Sequence, residues 1–281
     1  MAGTLYLCAT PIGNLEDITL RVLRTLREVD VIAAEDTRQT VKLLNHYEIK
    51  TPLVSYHEHN KREKTKVLVK RLLDGESLAL VTDAGTPAIS DPGEDLVRAC
   101  YGAGIEVTSL PGASAVITAL ALSGMIARRF TFEGFLPTEK KEREEVLGRF
   151  AVSTCTTIFY EAPHRLRQTL QVLAKTAGSG RPLAVCRELT KRHEEAAHFT
   201  LGEAAAYYEE HEAKGEFVLI VEGADPNELL QERQKVWQEM PLQQHMEMYL
   251  SEGMDKKDAM KAVAKDRGVP KREIYAALLA Q

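Results

Sequence analysis

The chain has 281 residues, of which 44% are hydrophobic and 27% are charged, and its formal net charge is -5. At roughly 150 residues per domain, this length predicts about two domains. The apolar fraction excludes intrinsic disorder as a description of the whole chain, and the negative charge excludes a generally basic nucleic-acid-binding coat. The four cysteines form no CxxC pair and have apolar neighbours, which favours a reducing cytoplasm over a disulfide framework or a zinc site.

The sequence carries no sign of a membrane or secretory segment. Its N-terminal stretch has neither the basic start nor the long apolar core of a signal peptide, so we expect none. No apolar run reaches the roughly 20 residues that cross a bilayer. Composition therefore predicts a soluble, cytoplasmic protein.

Short apolar runs alternate with helical spacing in the first half of the chain. The runs lie at 4–11, 31–36, 52–59, 78–85 and 106–112. They are rich in Val, Leu and Ile and several end in Gly or Pro, as buried parallel strands do. Strands that alternate with crossover helices predict an α/β fold, with an open parallel sheet covered on both faces.

Helix signals lie between these runs. Apolar residues at helical spacing from Leu15 to Leu26 predict the first helix. Further along, we expect Asp91 to be the N-cap of a helix, with Pro92 at its first position and Glu94 closing a capping box.

The second half of the chain predicts a different sheet and a helical tail. Strand candidates lie at 130–137, 156–163, 182–190, 196–202 and 216–223. Some follow one another as hairpins, so a mixed sheet is expected, preceded by a buried helix within 112–127. Beyond that the pattern is helical to the end. The predicted domains are therefore 1–114 (α/β), 115–228 (α/β) and 229–281 (helical, resembling a helix–turn–helix).

Several common catalytic motifs are absent. There is no GxGxxG after a strand, no GxxxxGK[ST], no HExxH and no GxSxG, which counts against dinucleotide oxidoreductases, P-loop enzymes, HExxH zinc enzymes and α/β-hydrolases. Only His57 and His59 approach metal-ligand spacing, since they would share a face on a strand. We interpret this pair as surface residues or substrate contacts and expect no metal site.

Turn-forming and acidic residues cluster in four segments that follow the predicted parallel strands. The segments are 10–17, 34–38, 83–93 and 110–115. Ligands bind at the carboxyl ends of the strands in open α/β sheets, where small residues allow close approach and acidic residues accept hydrogen bonds. The alternative is that Gly and Pro only form the tight turns of the fold. Four such segments at one edge favour a binding site.

Seven segments resemble, in order, the successive signatures of tetrapyrrole-methylase-like methyltransferases. They are TPIGNLEDIT, AEDTR, VTDAGTPAISDPG, LPGASA, FYEAPHRL, CRELTK and GEFVLIVEG, and the resemblance covers roughly residues 4–223. The segments are most similar to the branch that methylates a cytidine 2′-hydroxyl in 16S ribosomal RNA of the small subunit. Where small-molecule methylases usually carry GxGxGD, this chain has Thr10-Pro11-Ile12-Gly13-Asn14, which favours the RNA branch.

The resemblance implies that S-adenosylmethionine binds in a folded conformation in a cleft between the two α/β domains. Carried over motif by motif, the implied cofactor-binding residues are Pro11, Gly13, Asp83, Ala84, Gly85, Ile89, Ser114, Ala115, Tyr160, Glu161, Glu216, Phe217 and Val218. This cofactor carries no phosphate, which agrees with the missing phosphate loop. From the residues alone, core packing accounts equally well for Tyr160 and Phe217.

Methyl transfer to a ribose 2′-oxygen needs orientation and a proton acceptor, because the hydroxyl is weakly acidic. The candidate catalytic residues are Asp36, Arg38, Glu188 and Lys191, with Glu35 and His57 as further candidates for the base. Asp36 would take the proton or orient the ribose, and Arg38 and Lys191 would hold flanking phosphates. The alternative is that Asp36 and Arg38 pair with each other or cap the following helix. The sequence does not single out one base.

An RNA enzyme with a negative net charge needs local basic surface, because phosphate contacts supply much of the affinity. Basic clusters occur on the first helix, at the start of the second domain and in the tail: Arg21, Arg24, Arg27, Arg128, Arg129, Lys140, Lys141, Arg143, Lys256, Lys257, Lys261, Lys265, Arg267, Lys271 and Arg272. A solvated helix face is the plainer interpretation of such clusters.

The resemblance thus implies an S-adenosylmethionine-dependent rRNA (cytidine-2′-O-)-methyltransferase, a homodimer that acts on ribosomal RNA or the assembled small subunit. Two alternatives stay open. One is a tetrapyrrole-type or other small-molecule methylase, and the other is a non-catalytic RNA-binding protein of ribosome assembly that keeps the fold.

Overall fold

A computed structural model describes residues 2–279 of the protein. The strands of its first sheet are β1 (Thr4–Cys8), β2 (Val31–Ala34), β3 (Leu53–Ser55), β4 (Leu78–Val81) and β5 (Glu106–Leu110). They pair in the order β3-β2-β4-β1-β5, and every pairing is parallel. Each strand is shorter than its predicted apolar run, because the last residues of the run form the loop at the sheet edge.

Helices cover both faces of this sheet. They are α1 (Leu20–Glu28), α2 (Thr37–His46), α3 (Lys61–Leu73) and α4 (Gly93–Gly102). Successive residues of β2 divide between two cores: Val31 and Ala33 pack with residues of α3 and α4, whereas Ile32 and Ala34 pack with residues of α1 and α2. Because both faces are buried, all four residues of β2 are apolar, as is typical of an interior parallel strand.

The first helix is shorter than its apolar spacing predicts. Residues Leu15–Asp17 form a separate 3-10 turn, and α1 begins only at Leu20. Thr19 sets this start, because its hydroxyl accepts a hydrogen bond from Val22 N at 3.1 Å and so caps the helix.

The expected capping box at the start of α4 is wrong. The helix begins at Gly93, and its N-cap is Pro92, whose ring offers no capping acceptor. Asp91 lies one residue earlier, where its carboxylate accepts hydrogen bonds from Gly93 N at 2.7 Å and Ile89 N at 3.3 Å. Asp91 therefore stabilises the loop before the helix rather than capping the helix itself.

The second sheet is mixed, as predicted. Its strands are β6 (Phe130–Phe135), β7 (Thr156–Glu161), β8 (Pro182–Arg187), β9 (Glu195–Thr200) and β10 (Phe217–Val221). They pair in the order β6-β7-β10-β8-β9. Only β6 and β7 run parallel, and the other three pairings are antiparallel.

One helix covers one face of this sheet and three cover the other. They are α5 (Ala115–Ser123), α6 (Lys140–Val152), α7 (Pro163–Ala177) and α8 (Leu201–Glu210). Along β10, Val218 and Ile220 pack with residues of α5, whereas Phe217 and Leu219 pack with residues of the other three helices. The period of two along the strand thus decides which side chains face α5.

The C-terminal region is helical and has its own core. Its helices are α9 (Pro226–Glu239), α10 (Leu242–Ser251), α11 (Lys256–Asp266) and α12 (Lys271–Leu279). Met246, Met260, Val263 and Ile274 form the centre of this core. The fold class is therefore confirmed: a parallel α/β unit, a mixed α/β unit and a helical C-terminal region.

The domain boundaries themselves stay predictions. Residue 1 of the range 1–114 and residues 280 and 281 of the range 229–281 lie outside the described residues. Across residues 2–279, no helix is both long and apolar enough to cross a membrane.

A buried histidine is part of the tail core. His245 stacks on Trp237, with ring centroids 4.3 Å apart and planes 11° from parallel. Its Nδ1 accepts a hydrogen bond from Arg267 Nε at 3.2 Å, and its Nε2 lies 3.2 Å from Asp266 Oδ2. Since a guanidinium can only donate, Nδ1 carries no proton and the ring is neutral. Burial lowers the pKa of His245, although the Asp266 carboxylate opposes this shift.

Acidification is expected to destabilise the tail. In the unfolded chain a histidine binds a proton with a pKa near 6.5, whereas the folded tail resists that proton. The free energy of unfolding therefore falls as the pH drops from about 7.5 through 6.5. Trp237 is the single tryptophan, so its fluorescence during urea unfolding reports on this region, and the midpoint is expected to be lower at about pH 5.5 than at about pH 7.5. If His245→Phe showed the same dependence of the unfolding midpoint on pH, His245 would not be its cause.

Candidate functional site

The loops that follow β1, β4 and β5 are bonded to one another at one edge of the first sheet. Thr10 and Gly85 exchange two backbone hydrogen bonds, with N···O distances of 2.9 and 3.0 Å. The Thr10 hydroxyl donates to Thr82 O at 3.1 Å, and the Thr86 hydroxyl donates to Ala113 O at 3.1 Å. Three of the four predicted segments, 10–17, 83–93 and 110–115, therefore form one connected surface.

Close packing at this edge excludes a side chain at position 112. A Cβ atom built on Gly112 would lie 2.6 Å from the Cβ atom of Ala9, far inside van der Waals contact. The loop after β5 can lie against the end of β1 only because this residue is glycine.

Carboxylates from the ends of two neighbouring strands, β2 and β4, meet at the same edge. Asp83 Oδ1 accepts a hydrogen bond from Asp36 N at 3.0 Å, and Glu35 Oε2 accepts one from Thr82 Oγ1 at 2.8 Å. Partial burial raises the pKa of Asp83, the hydrogen bond from Asp36 N opposes this shift, and the nearby charges of Glu35 and Asp36 add to it. A raised pKa makes Asp83 a stronger proton acceptor than an ordinary aspartate.

Asp36 and Arg38 have both of the plainer roles foreseen for them. Arg38 Nε donates to Asp36 Oδ1 at 3.0 Å and Arg38 Nη2 donates to Oδ2 at 2.7 Å, so the two side chains pair. Asp36 also caps α2, because Oδ1 accepts from Arg38 N at 2.8 Å. The hydrogen bonds from Arg38 lower the pKa of Asp36 to about 2, which makes it a weak base.

A turn of the second domain lies on the first loop of the first domain. A Cβ atom built on Gly13 would lie 2.6 Å from Lys191 Cγ, 2.9 Å from Thr190 Oγ1 and 3.0 Å from Leu189 O. In the same turn, Lys191 Nζ donates to Glu188 Oε1 at 2.9 Å. The structure therefore brings the predicted pair Glu188 and Lys191 to the loop that carries Gly13.

Thr190 is a residue of this site that the sequence did not indicate. Its hydroxyl oxygen is buried and has no hydrogen-bond partner among residues 2–279. Both Glu188 and Thr190 have left-handed backbone, with φ values of 50° and 66°, which is unusual for residues other than glycine. The motif CRELTK contains Thr190, but nothing in it signals a left-handed β-branched residue.

The second domain presents one face of its sheet, together with the start of α5, to this region. Tyr160 and Val218 lie on the face that packs with α5, and Ser114 and Ala115 begin that helix. Burial raises the pKa of Tyr160, and the charge of Glu216 adds to the shift.

Two of the predicted cofactor-binding residues lie on the opposite face of the second sheet. Glu161 is 1% exposed, and its carboxylate accepts hydrogen bonds from Thr169 Oγ1 at 2.5 Å and Ala162 N at 2.8 Å. Phe217 is buried in the core formed with α6, α7 and α8. Glu161 and Phe217 follow or precede, on their strands, a residue whose side chain faces α5. Since successive side chains of a strand point to opposite faces, these two side chains point away from the site.

The remaining predicted residues lie in the loops of the first domain. Pro11 is half-buried in the first loop, whereas Ala84 and Ile89 are exposed in the segment after β4. His57 and His59 follow β3 rather than lying on it, and their ring centroids are 6.0 Å apart. Within residues 2–279, no group of three or more His, Cys, Asp or Glu side chains is placed to hold a metal ion.

A family model for tetrapyrrole (corrin/porphyrin) methylases matches residues 4–205. The chain belongs to this family. Proteins named Ribosomal RNA small subunit methyltransferase I are similar to it over nearly its whole length. The one from Halalkalibacterium halodurans is 52% identical and the one from Bacillus subtilis 49% identical, each over 97% of this chain and 93% of its own. The one from Synechocystis sp. is 47% identical, over 97% of this chain and 96% of its own.

Several solved structures have the same fold. Uroporphyrin-III-C-methyltransferase from Thermus thermophilus matches with a TM-score of 0.56 at 20% identity, over 78% of this chain and 94% of its own. A second structure of the Thermus enzyme, complexed with S-adenosylhomocysteine, matches with a TM-score of 0.56 at 19% identity, over 78% and 97%. Diphthine synthase matches with a TM-score of 0.62 at 13% identity, over 79% and 90%.

Substitution of Gly112 is expected to destabilise the sheet edge. In Gly112→Ala the new methyl group overlaps Ala9, and overpacking of this kind costs about 1–3 kcal/mol in the free energy of unfolding. Gly102, at the end of α4, is the matched control, because a Cβ atom there would meet nothing within 4 Å. The free energy of unfolding of both variants is measured by urea unfolding followed by circular dichroism. Equal unfolding midpoints for Gly112→Ala and Gly102→Ala would show that the loop accommodates the methyl group without loss of stability.

Proposed function

We propose that the protein transfers the methyl group of S-adenosylmethionine to the 2′-hydroxyl of a cytidine in 16S ribosomal RNA of the small subunit. The observation that carries the proposal is the similarity, over 97% of the chain, to proteins named Ribosomal RNA small subunit methyltransferase I. The choice of a cytidine 2′-oxygen rests on the seven sequence segments that resemble the cytidine-methylating branch. The bonded loops after the first sheet support methyl transfer at this site, because they hold predicted residues of the first domain together and Gly13 among them contacts the turn that carries Glu188 and Lys191.

The residues at this edge fit a cofactor that has an apolar base, hydroxyl groups and an ammonium group but no phosphate. The buried Thr190 hydroxyl supports the fit, because it has no partner within residues 2–279 and lies at the junction of the two domains. We assign cofactor binding to Pro11, Gly13, Asp83, Ala84, Gly85, Ile89, Ser114, Ala115, Tyr160, Glu216 and Val218. Glu161 and Phe217 would support these residues only by packing. When bound, S-adenosylmethionine supplies a methyl group that its sulfonium already activates.

We place the proton acceptor at Asp83 rather than at Asp36. The Arg38 guanidinium holds the pKa of Asp36 to about 2, whereas burial and two neighbouring acids raise the pKa of Asp83. The hydroxyl proton is more readily accepted by the stronger base. Asp36 then serves as a positioning residue, because its backbone N–H holds Asp83 and its carboxylate holds Arg38.

We propose that Arg38 and Lys191 hold RNA phosphates on the two sides of the site. The Arg38 side chain is 87% exposed although it is paired with Asp36. In the tail, exposed residues such as Lys257, Lys265 and Arg272 add basic surface. Arg267 does not serve this purpose, because it donates to His245 and to the Met240 carbonyl in the tail core.

We also propose that the protein is a homodimer and works in the cytoplasm, where ribosomal subunits are found. Large apolar side chains are exposed on α5 and β6 and in the segment between them: Ile117, Leu122, Ile126, Phe130 and Phe135. Exposed apolar side chains on adjoining elements are typical of an interface between subunits, and a second copy would bury them.

Labelled S-adenosylmethionine tests the proposed function directly. The protein is incubated with it and, separately, with small ribosomal subunits, naked 16S RNA or a porphyrinogen. We expect label in RNA at a linkage that resists alkali, because a 2′-O-methyl group removes the hydroxyl that attacks the phosphodiester. Label in the porphyrinogen would instead support a small-molecule methylase. RNA binding without transfer would support an assembly protein.

Substitution of the two aspartates distinguishes their roles. Asp83→Asn is expected to lower kcat by about 100-fold or more through loss of the proton acceptor. Asp36→Asn is expected to lower it only about tenfold, through the weakened bond to Arg38. Methylation rates at saturating substrate measure kcat of each variant. Calorimetric binding of S-adenosylhomocysteine measures the affinity of each variant for the cofactor product. A larger loss of kcat in Asp36→Asn would reverse the assignment.

A further inference from the structure

A cavity of about 280 Å³ lies in the second domain on the face of the sheet opposite α5, and Phe217 is among the residues that line it. Its walls come from Arg187 on β8, Phe199 on β9, and Tyr207, Tyr208 and His211 at the end of α8. Its volume lies just below the range of about 300–1,000 Å³ that is typical of small-molecule sites. The cavity is therefore suited to a single ring system rather than to an extended ligand.

Aromatic rings form one side of the cavity. Tyr207 and His211 stack face to face, with centroids 3.9 Å apart and planes 5° from parallel. The Phe199 ring lies 5.5 Å from the Tyr207 ring, and Tyr207 is 41% exposed. Exposed aromatic rings are the surfaces on which unpaired RNA bases stack.

Charged groups line the rest of the cavity in equal numbers of each sign. Arg187 Nε lies 2.5 Å from Glu195 Oε2, and Lys214 Nζ lies 2.9 Å from Glu212 Oε2. Because these charges cancel, a phosphate gains little here. A neutral nucleobase fits better, since its edge offers both amino donors for the carboxylates and acceptors for the cations.

Two residues of the cavity wall are neighbours in sequence of residues in or beside the turn that lies on the first domain. Arg187 is the last residue of β8, and Glu188 follows it directly. Gly215 follows Lys214, and a Cβ atom at Gly215 would clash with the Glu188 carboxylate. The residues that follow Arg187 and Lys214 in sequence, Glu188 and Gly215, thus lie against each other beside the turn that contacts Gly13.

We propose that this cavity binds an unpaired nucleobase of the RNA, close along the strand to the nucleotide whose ribose is methylated. The proposal rests on the proposed function, because it assumes an RNA substrate at the shared edge. It adds a site at which a base extends the Tyr207–His211 stack over the exposed His211 ring, separate from the groups that hold the cofactor and the reacting ribose.

Kinetics with small ribosomal subunits test the proposal. Tyr207→Ala is expected to raise KM for the subunits about tenfold, the effect of removing one stacking ring, without changing kcat or the affinity for S-adenosylhomocysteine. Tyr207→Phe keeps the ring and is expected to behave as the unaltered protein. Tyr101→Ala is the matched control, since Tyr101 is 66% exposed on α4 in the first domain. An unchanged KM in Tyr207→Ala would overturn the proposal.

Photocrosslinking gives a second readout that does not depend on catalysis. RNA that carries 4-thiouridine beside the target nucleotide is expected to crosslink to the segment 199–214 in the unaltered protein and not in Tyr207→Ala. Crosslinks confined to other segments would overturn the proposal. If the unaltered protein methylates no RNA, the proposed function fails, and the crosslink still decides whether the cavity binds a base.

Discussion

The two backbone hydrogen bonds between Thr10 and Gly85 hold the candidate site together. They continue the association of neighbouring strands β1 and β4 into the loops beyond them, where open α/β sheets bind their ligands. Gly112 brings the loop after β5 against Ala9 at the same edge. Without this joining, Gly13 would belong to an independent turn and would have no fixed position for the second domain to meet.

The acidic residues at the carboxyl ends of β2 and β4 differ in pKa and therefore in the roles they can have. Asp36 and Asp83 are joined by a hydrogen bond, yet one pKa is lowered and the other is raised. The two shifts have different causes. Hydrogen bonds from Arg38 lower the pKa of Asp36, whereas partial burial and the charges of Glu35 and Asp36 raise the pKa of Asp83.

Much of the fold could be predicted from the sequence, because hydrophobic period and turn residues report on burial directly. The parallel strands read as continuous apolar runs, and β2, buried on both faces, illustrates the reason. The start of α4 could not be predicted, since the competition between Asp91 and Pro92 for the cap is decided by the loop geometry.

Prediction of the site was less complete, and the reason lies in strand geometry. Motif resemblance assigned the adjacent residues Glu161 and Tyr160 to one pocket, and likewise Phe217 and Val218. On a strand, adjacent side chains point to opposite faces. The alternation could therefore have predicted that only one residue of each pair faces the pocket. Thr190 was beyond prediction, because a left-handed backbone is unusual for a β-branched residue and nothing in its motif signals one.

The left-handed turn also constrains how this sequence can vary. Backbone of this kind costs about 1–2 kcal/mol for each residue that is not glycine, and here Glu188 and Thr190 both adopt it. The turn packs so closely on Gly13 that a side chain there would overlap Thr190 and Lys191, and a Cβ atom at Gly215 would displace the Glu188 side chain. Positions 13 and 190 are therefore expected to change together in evolution, although they lie in loops of different sheets, and so are positions 188 and 215. A change at one would be tolerated only when another compensates for it.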